Sequence, residues 1–258
     1  VDGNRIWRVE TPMGPVLQKH FGERGVWLHR WAREILTQLL GKKTSTLAAE
    51  RCATERRLLA LWAEAGLAAP RDLSAEHKDL AGPDTLVLEF VQGRLLTKVL
   101  TDASLDESAR AAALQGFARG WCARHRLALE RDEPAFVQEH GTLDHVLYDG
   151  ERFVTLDLEN AFRPVQPVLP LLCKEIAGYV RSLSRCQDEA GFQRDLATLV
   201  AAYPDTERLA AAADHYLANP SPWMRMMWSV DRRRVQRRGK RYGKYQVLES
   251  LRAALARA

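Results

Sequence analysis

The sequence predicts an α+β fold in two lobes, a small strand-rich lobe over residues 1–91 and a larger helical lobe over 92–258. Three observations carry this. Runs of strand-forming residues and turn residues are concentrated before Gly93. The stretch from Ser108 to Leu129 is long, alanine-rich and helical in character. After Pro170 the chain reads as helical nearly to its end, so the hairpin signal at Asp149-Gly150 lies inside a mostly helical half.

Ile6-Trp7-Arg8-Val9 and Val16-Leu17-Gln18-Lys19-His20-Phe21 read as the strands of a hairpin, with Thr11-Pro12-Met13-Gly14 as its turn. The spacing of Trp27, Leu28, Trp31, Ile35, Leu36, Leu39 and Leu40 predicts an amphipathic helix stopped by Gly41-Lys42-Lys43. Thr46 can cap a second helix running to about Ala65, with Gly66 at its end and Pro70 beyond. Thr85 to Val91 reads as a buried strand closed by Gln92-Gly93. Gly116 and Gly120 are small-residue positions in the long helix. Val146-Leu147-Tyr148 and Phe153-Val154-Thr155-Leu156 flank the two-residue turn Asp149-Gly150.

With 258 residues, 46% hydrophobic and 28% charged, the chain can bury one large core or two modest ones, which excludes collagen-like, low-complexity and disordered classes. No apolar run approaches bilayer-spanning length, and no signal-peptide pattern opens the chain. Cys52, Cys122, Cys173 and Cys186 are widely spaced, so reduced thiols are expected rather than a zinc cluster or disulfide framework. The net charge of +5 is uneven. Residues 223–245 hold nine Lys or Arg and one acid, a local +8 that leaves −3 for the remainder and points to an anionic partner.

Four positions fall in an order with a chemical rationale. Lys19 ends a hairpin strand and Glu55 lies on the next helix. Glu89 and Val91 lead from a strand into a glycine break, and Asp157 follows a strand. A lysine fixed by a carboxylate can hold nucleotide phosphates. Backbone groups after the strand can bind an adenine edge, and an Asp leaving a strand can bind Mg2+.

In these features the chain resembles the protein-kinase-like superfamily. Within it, the chain is most similar to bacterial lipopolysaccharide kinases that phosphorylate inner-core sugars, heptose or Kdo. Lys19-His20-Phe21-Gly22, Trp31 and Leu39-Leu40-Gly41-Lys42-Lys43 resemble the stretch following that family's nucleotide lysine. Glu55 through Leu67 to Pro70 resembles its glutamate helix, and Leu88-Glu89-Phe90-Val91-Gln92-Gly93 its hinge. His140-Gly141-Thr142-Leu143-Asp144-His145-Val146-Leu147 resembles its catalytic loop, and Leu156-Asp157-Leu158-Glu159 its metal-binding segment. The likeness covers roughly residues 4–162.

The resemblance implies a bilobal protein-kinase-like fold and an ATP- and Mg2+-dependent transfer to a sugar hydroxyl. Lys19 and Glu55 would hold phosphates, Glu89 and Val91 the adenine through their backbone, and Asp157 and His145 the metal. The catalytic loop departs from the usual pattern: Thr142 stands where kinase-like enzymes have an Asp. Three readings follow. Asp144 accepts the hydroxyl proton from a shifted position, His140 does so as an imidazole, or no base remains and the protein is a pseudokinase-type binding module. A small-molecule phosphotransferase of the aminoglycoside or choline type shares the fold but keeps the missing Asp.

Plainer readings stand beside these. Lys19 can be a surface strand lysine. Glu55, next to Arg56 and Arg57, can sit on a solvated helix face, with Glu50 as the true partner of Lys19. His145 can be a core histidine. Asp144 is expected to cap the hairpin turn and Glu159 to be exposed rather than a second metal ligand. Asp157 between two leucines is costly to bury unless paired or metal-bound. His20, His29, His77, His125 and His215 show no partners. Trp223-Met224-Arg225-Met226-Met227-Trp228 reads as a core-packing helix rather than a membrane wedge. The stretch Arg232–Lys244 suits an anionic surface, either lipopolysaccharide core, another anionic glycolipid or acidic headgroups at the cytoplasmic face of the inner membrane. No nucleic-acid motif accompanies it.

Overall fold

The computed structural model describes residues 3–23, 47–162, 165–218, 220–237, 242–243 and 246–258. The helix expected from Trp27 to Leu40, its stop at Gly41-Lys42-Lys43 and the Thr46 cap lie outside them. The described fold is α+β, with a small antiparallel sheet and a mostly helical remainder.

Strands β1 (Arg5–Thr11) and β2 (Gly14–His20) form the expected hairpin, with Ile6 opposite Lys19. Gly14 takes a φ of +110°, which closes the turn without side-chain strain, and the Thr11 hydroxyl donates to its carbonyl at 2.7 Å. Strand β3 (Thr85–Glu89) pairs on the other side of β2, placing Leu86 opposite Lys19. It ends two residues before the expected Val91.

Helix α1 (Ala48–Glu64) lies between β2 and β3 in sequence. It buries Ala48, Arg51, Cys52, Glu55, Leu58, Leu59 and Trp62, a continuous helical stripe. Two members of that stripe are charged, and both belong to the site described below. Gly66, at φ +71°, ends the helix, and the Leu67 N–H reaches back to the Trp62 carbonyl.

Strand β4 (Arg94–Leu95) was not visible in the sequence. It is only two residues long and pairs with β5 (Val146–Tyr148), which pairs with β6 (Phe153–Thr155). A short helix α2 (Leu96–Leu100) follows β4. Helix α3 (Glu107–Glu130) starts at Asp106, whose carboxylate accepts the Ala109 N–H. A side chain at Gly116 would run into the Phe153 ring, so this small residue lets the β5–β6 hairpin lie on α3.

The helical half continues with α4 (Val168–Cys186), α5 (Glu189–Ala202), α6 (Thr206–Leu217), α7 (Pro222–Arg237) and α8 (Gln246–Leu255). Its core gathers Leu114, Phe117, Trp121, Ile176, Val180, Phe192, Leu209 and Leu248. A second core joins Phe21, Leu58, Trp62 and Leu86 to Phe136, Leu158, Phe162 and Leu172. Residues from before and after Val91 therefore share one apolar cluster, which holds the sheet against the segment after β6.

His125, expected to lack a partner, lies fully buried between the Tyr203 hydroxyl and Glu175, whose other oxygen takes Arg124. Burial brings His125 down to about 4, so it sits neutral inside this network. All four cysteines are free thiols. No helix among the described residues is long and apolar enough to cross a membrane.

The Trp223–Trp228 expectation needs correction. Trp228 packs on the core and Val235 is buried, but Trp223, Met226, Met227 and Val230 are exposed. One face of α7 packs and the opposite apolar face does not.

Candidate functional site

Leu17, Lys19 and Phe21 alternate onto one face of β2. That face meets the second core, so an ammonium stands where the pattern would place an apolar side chain. Lys19 is 3% exposed, which removes the surface-lysine reading. Its Nζ lies 2.6 Å from Glu55, 2.8 Å from Asp157 and 3.6 Å from Glu159. Residues from a strand, a helix and the segment after β6 thus meet at one nitrogen.

Glu55 is 2% exposed, while Arg56 and Arg57 point to solvent, so the solvated-face reading fails for Glu55 alone. Glu50 is exposed and is not the partner of Lys19. Asp157 adopts φ +61°, a left-handed conformation rare outside glycine, and its side chain is partly exposed. Its second carboxylate oxygen faces His145 Nε2 at 3.6 Å.

Glu159, expected at the surface, is fully buried. Arg51 Nη1 approaches it at 3.1 Å, and Asn4 donates to the same oxygen. Arg51 also donates to the Asn4 side-chain carbonyl and to the Gly22 carbonyl at 2.7 and 2.6 Å. The sequence reading missed Arg51. One signal was present: Arg51 and Glu55 are four residues apart on the stripe that also carries Cys52, Leu58 and Leu59.

Three carboxylates therefore share two cations in a desolvated cluster. Burial by itself would pull Lys19 down, but Glu55, Asp157 and Glu159 together hold its ammonium above its ordinary range. Burial pushes Glu55 up to about 7, against the attraction of Lys19. Oxygens of Glu55, Asp157 and Glu159 lie within 4.8 Å of one another, close enough to ligate one metal ion. The Lys19 ammonium already stands among them, and Arg51 claims Glu159. Asp157 is the carboxylate of the three with solvent access.

At the end of β3, the Glu89 N–H donates to the Arg71 carbonyl at 2.9 Å, and its side chain receives the Arg71 N–H. The Glu89 amide is thus not free for an adenine edge. Among the described residues, the Val91 N–H and C=O have no hydrogen-bond partner.

The loop before β5 forms a 3-10 turn over Leu143–His145. Thr142 caps it, and the hairpin turn that Asp144 was expected to cap is capped by Asp149, whose carboxylate accepts the Glu151 and Arg152 N–H groups. The Asp144 side chain is exposed and accepts from the Thr97 hydroxyl at 2.9 Å. Ser182 of α4 locks the loop: its Oγ accepts the Leu143 N–H and lies 3.0 Å from Thr142 Oγ1. His140 Nε2 lies 2.7 Å from buried Glu139, which also pairs with Lys174. His145 Nδ1 is buried with no partner among the described residues.

The structure thus brings Lys19, Glu55, Asp157 and His145 together. Asp144 and His140 make their polar side-chain contacts elsewhere, to Thr97 and Glu139, and Glu89 is bonded to Arg71. No protein-family model matches this chain, and no curated protein matches it.

Proposed function

We propose that the protein is a Mg2+- and ATP-dependent phosphotransferase with an alcohol as acceptor. The observation that carries this is the convergence of Lys19, Glu55 and Asp157 at one nitrogen. A buried lysine fixed by a helix glutamate presents a pre-positioned ammonium to phosphate oxygens, and Asp157 supplies an oxygen ligand for Mg2+. Mg2+ favours oxygen, so Asp157 carries the metal role in this proposal, and His145 beside it would orient that carboxylate. Val91, with both backbone groups unpaired among the described residues, suits the adenine edge better than the Glu89 amide.

The bound metal would neutralise phosphate charge. The protein's own contribution is positional. Lys19 would draw a γ-phosphoryl toward an acceptor hydroxyl whose oxygen bonds to phosphorus as the bond to the ADP oxygen breaks. The hydroxyl proton would pass to Asp144 or His140. The inner-core sugar as acceptor rests on the resemblance alone.

The charge balance of the cluster sets a test. With three carboxylates to two cations, free phosphates are repelled unless Mg2+ accompanies them. ATP and ADP are expected to raise the melting temperature only with Mg2+, and Asp157→Asn to abolish the shift. No shift in the wild type with Mg2+ present would overturn the proposal.

A second reading is favoured by one observation. Thr142, at the usual base position, has its hydroxyl committed to Ser182. A nucleotide-binding module without turnover follows from that. ATP consumption on core oligosaccharide, lost in Lys19→Met, decides against it.

A further inference from the structure

We propose that a slot of about 300 Å³ between the 139–142 loop and α4 is a phosphate subsite, which in the phosphotransferase reading receives the acceptor's own phosphate. Lys174, Arg181 and Arg185 line it from α4, facing His140 and Thr142. Their spacing of seven and then four residues puts the three cations on one helix face. Gly178 lies between them, where the Gly141 carbonyl packs against α4.

The charges of the slot are not balanced from within. Glu139 is its one acid, and it is shared by Lys174 and His140. Arg181 and Arg185 have no ion-pair partner among the described residues, and Arg181 Nε is buried without a hydrogen bond. Burial and the neighbouring Arg185 both disfavour the charge on Arg181, with Asp231 of α7 a partial offset. Two guanidiniums held one turn apart in a half-enclosed space cost free energy until an anion joins them. Their planar forks match the oxygens of a phosphate, and the Thr142–Ser182 lock makes the opposite wall rigid. The wall is the catalytic-like loop itself, so an acceptor anchored here would lie along that loop.

Inorganic phosphate, glucose 6-phosphate and glucose serve as probes, read by titration calorimetry on the full chain. Phosphate or the sugar phosphate should bind, and glucose should not. Arg181→Gln and Arg185→Gln should each weaken binding by roughly tenfold or more, the worth of one charge-assisted hydrogen bond. Lys19→Met should leave it unchanged. Tighter binding of the sugar phosphate assigns the site to an acceptor, and equal or weaker binding assigns it to free phosphate. No binding of either anion, indifference to both Arg variants, or equal loss in Lys19→Met at a temperature where its circular dichroism matches the wild type would overturn the proposal. A wild type that binds phosphate but not Mg-ATP would refute the phosphotransferase reading and leave the subsite standing.

A different surface carries a second inference. Trp223, Met226, Met227 and Val230 recur at i, i+3, i+4 and i+7 on α7, and Trp223 is 66% exposed. Exposed Arg233 and Arg237 continue the same face toward the C-terminal end of the helix. Large apolar groups followed by guanidiniums fit an anionic bilayer, with the apolar turns at the acyl boundary and the arginines at phosphates. We infer that α7 docks on acidic membranes.

Sedimentation with phosphatidylglycerol vesicles should pull the protein down, phosphatidylcholine vesicles should not, and added salt should weaken the effect. Trp223→Ser/Met227→Ser and Arg233→Glu/Arg237→Glu should each reduce binding several-fold with unchanged melting. Binding absent from acidic vesicles, or unaltered in both double variants, would overturn this. So would light scattering showing a dimer that the Trp223→Ser/Met227→Ser variant dissolves.

Discussion

The Lys19 ammonium lies 2.8 Å from the Asp157 carboxylate, across a sequence separation of 138 residues. The contact is buried on the lysine side and solvent-accessible on the aspartate side. The ammonium itself is enclosed, and the opening to solvent lies on the Asp157 carboxylate. The same geometry makes Lys19 structurally costly to remove. In Lys19→Met, Glu55 and Glu159 stay buried with Arg51 as the remaining cation of the cluster. Urea unfolding at pH 8 should show a loss of about 3–5 kcal/mol. An unchanged stability would mean the carboxylates find other partners.

The Glu55 carboxyl gives a pH signature. Its value near 7 in the folded protein exceeds its ordinary 4.5, so the folded state binds more protons than the unfolded chain between those values. Stability must fall as pH rises through that window, by on the order of 3 kcal/mol in total, and level off above it. Glu55→Gln cannot titrate. The wild-type stability minus that of Glu55→Gln, measured from pH 5 to pH 8, should therefore decline with pH. A flat difference would place Glu55 in its ionised form throughout.

Much of this site was legible because polar residues interrupt apolar patterns at the right phase. Lys19 breaks the Leu17–Phe21 face, Glu55 breaks the Leu58–Trp62 stripe, and Asp157 sits between leucines. Arg51 showed only as a charged position on the α1 stripe and Glu159 not at all, since their burial depends on partners distant in sequence: each other across 108 residues, with Asn4, Gly22 and Lys19. Strand β4 was hidden by its length. Its two residues form a strand because Tyr148 and Leu147 offer an edge, not through any propensity of Arg94-Leu95. For α7, composition suggested a core helix. Which face packs depends on where Trp228 and Val235 meet the other helices, and a single sequence does not show that.

The left-handed backbone at Asp157 separates its chemical role from its conformational one. Asn tolerates φ near +60°, whereas Ala does so at a cost of about 1 kcal/mol or more. Both substitutions remove the carboxylate facing Lys19. Asp157→Ala should therefore melt below Asp157→Asn, while neither should show a Mg-ATP shift. Equal melting temperatures would mean that the segment after β6 relaxes out of the left-handed region.

The closest backbone approach around the slot joins Gly178 of α4 to Gly141. A Cβ on Gly178 would lie 2.6 Å from the Gly141 carbonyl oxygen, a backbone atom that cannot swing away. Gly178→Ala must push the loop off the helix, at a cost of about 1–3 kcal/mol, despite the better helix propensity of alanine. The displaced loop would also carry Thr142 away from Ser182, so phosphate binding in the slot should fall together with stability. Gly120 of α3 is the matched control, since nothing lies within 4 Å of its added Cβ. Gly120→Ala should stabilise by roughly 0.5–1 kcal/mol and leave phosphate binding untouched. Opposite signs for two glycine-to-alanine changes in helix interiors would show that contact with the loop, rather than propensity, governs position 178. Stabilisation by both would mean that the loop does not rest on α4.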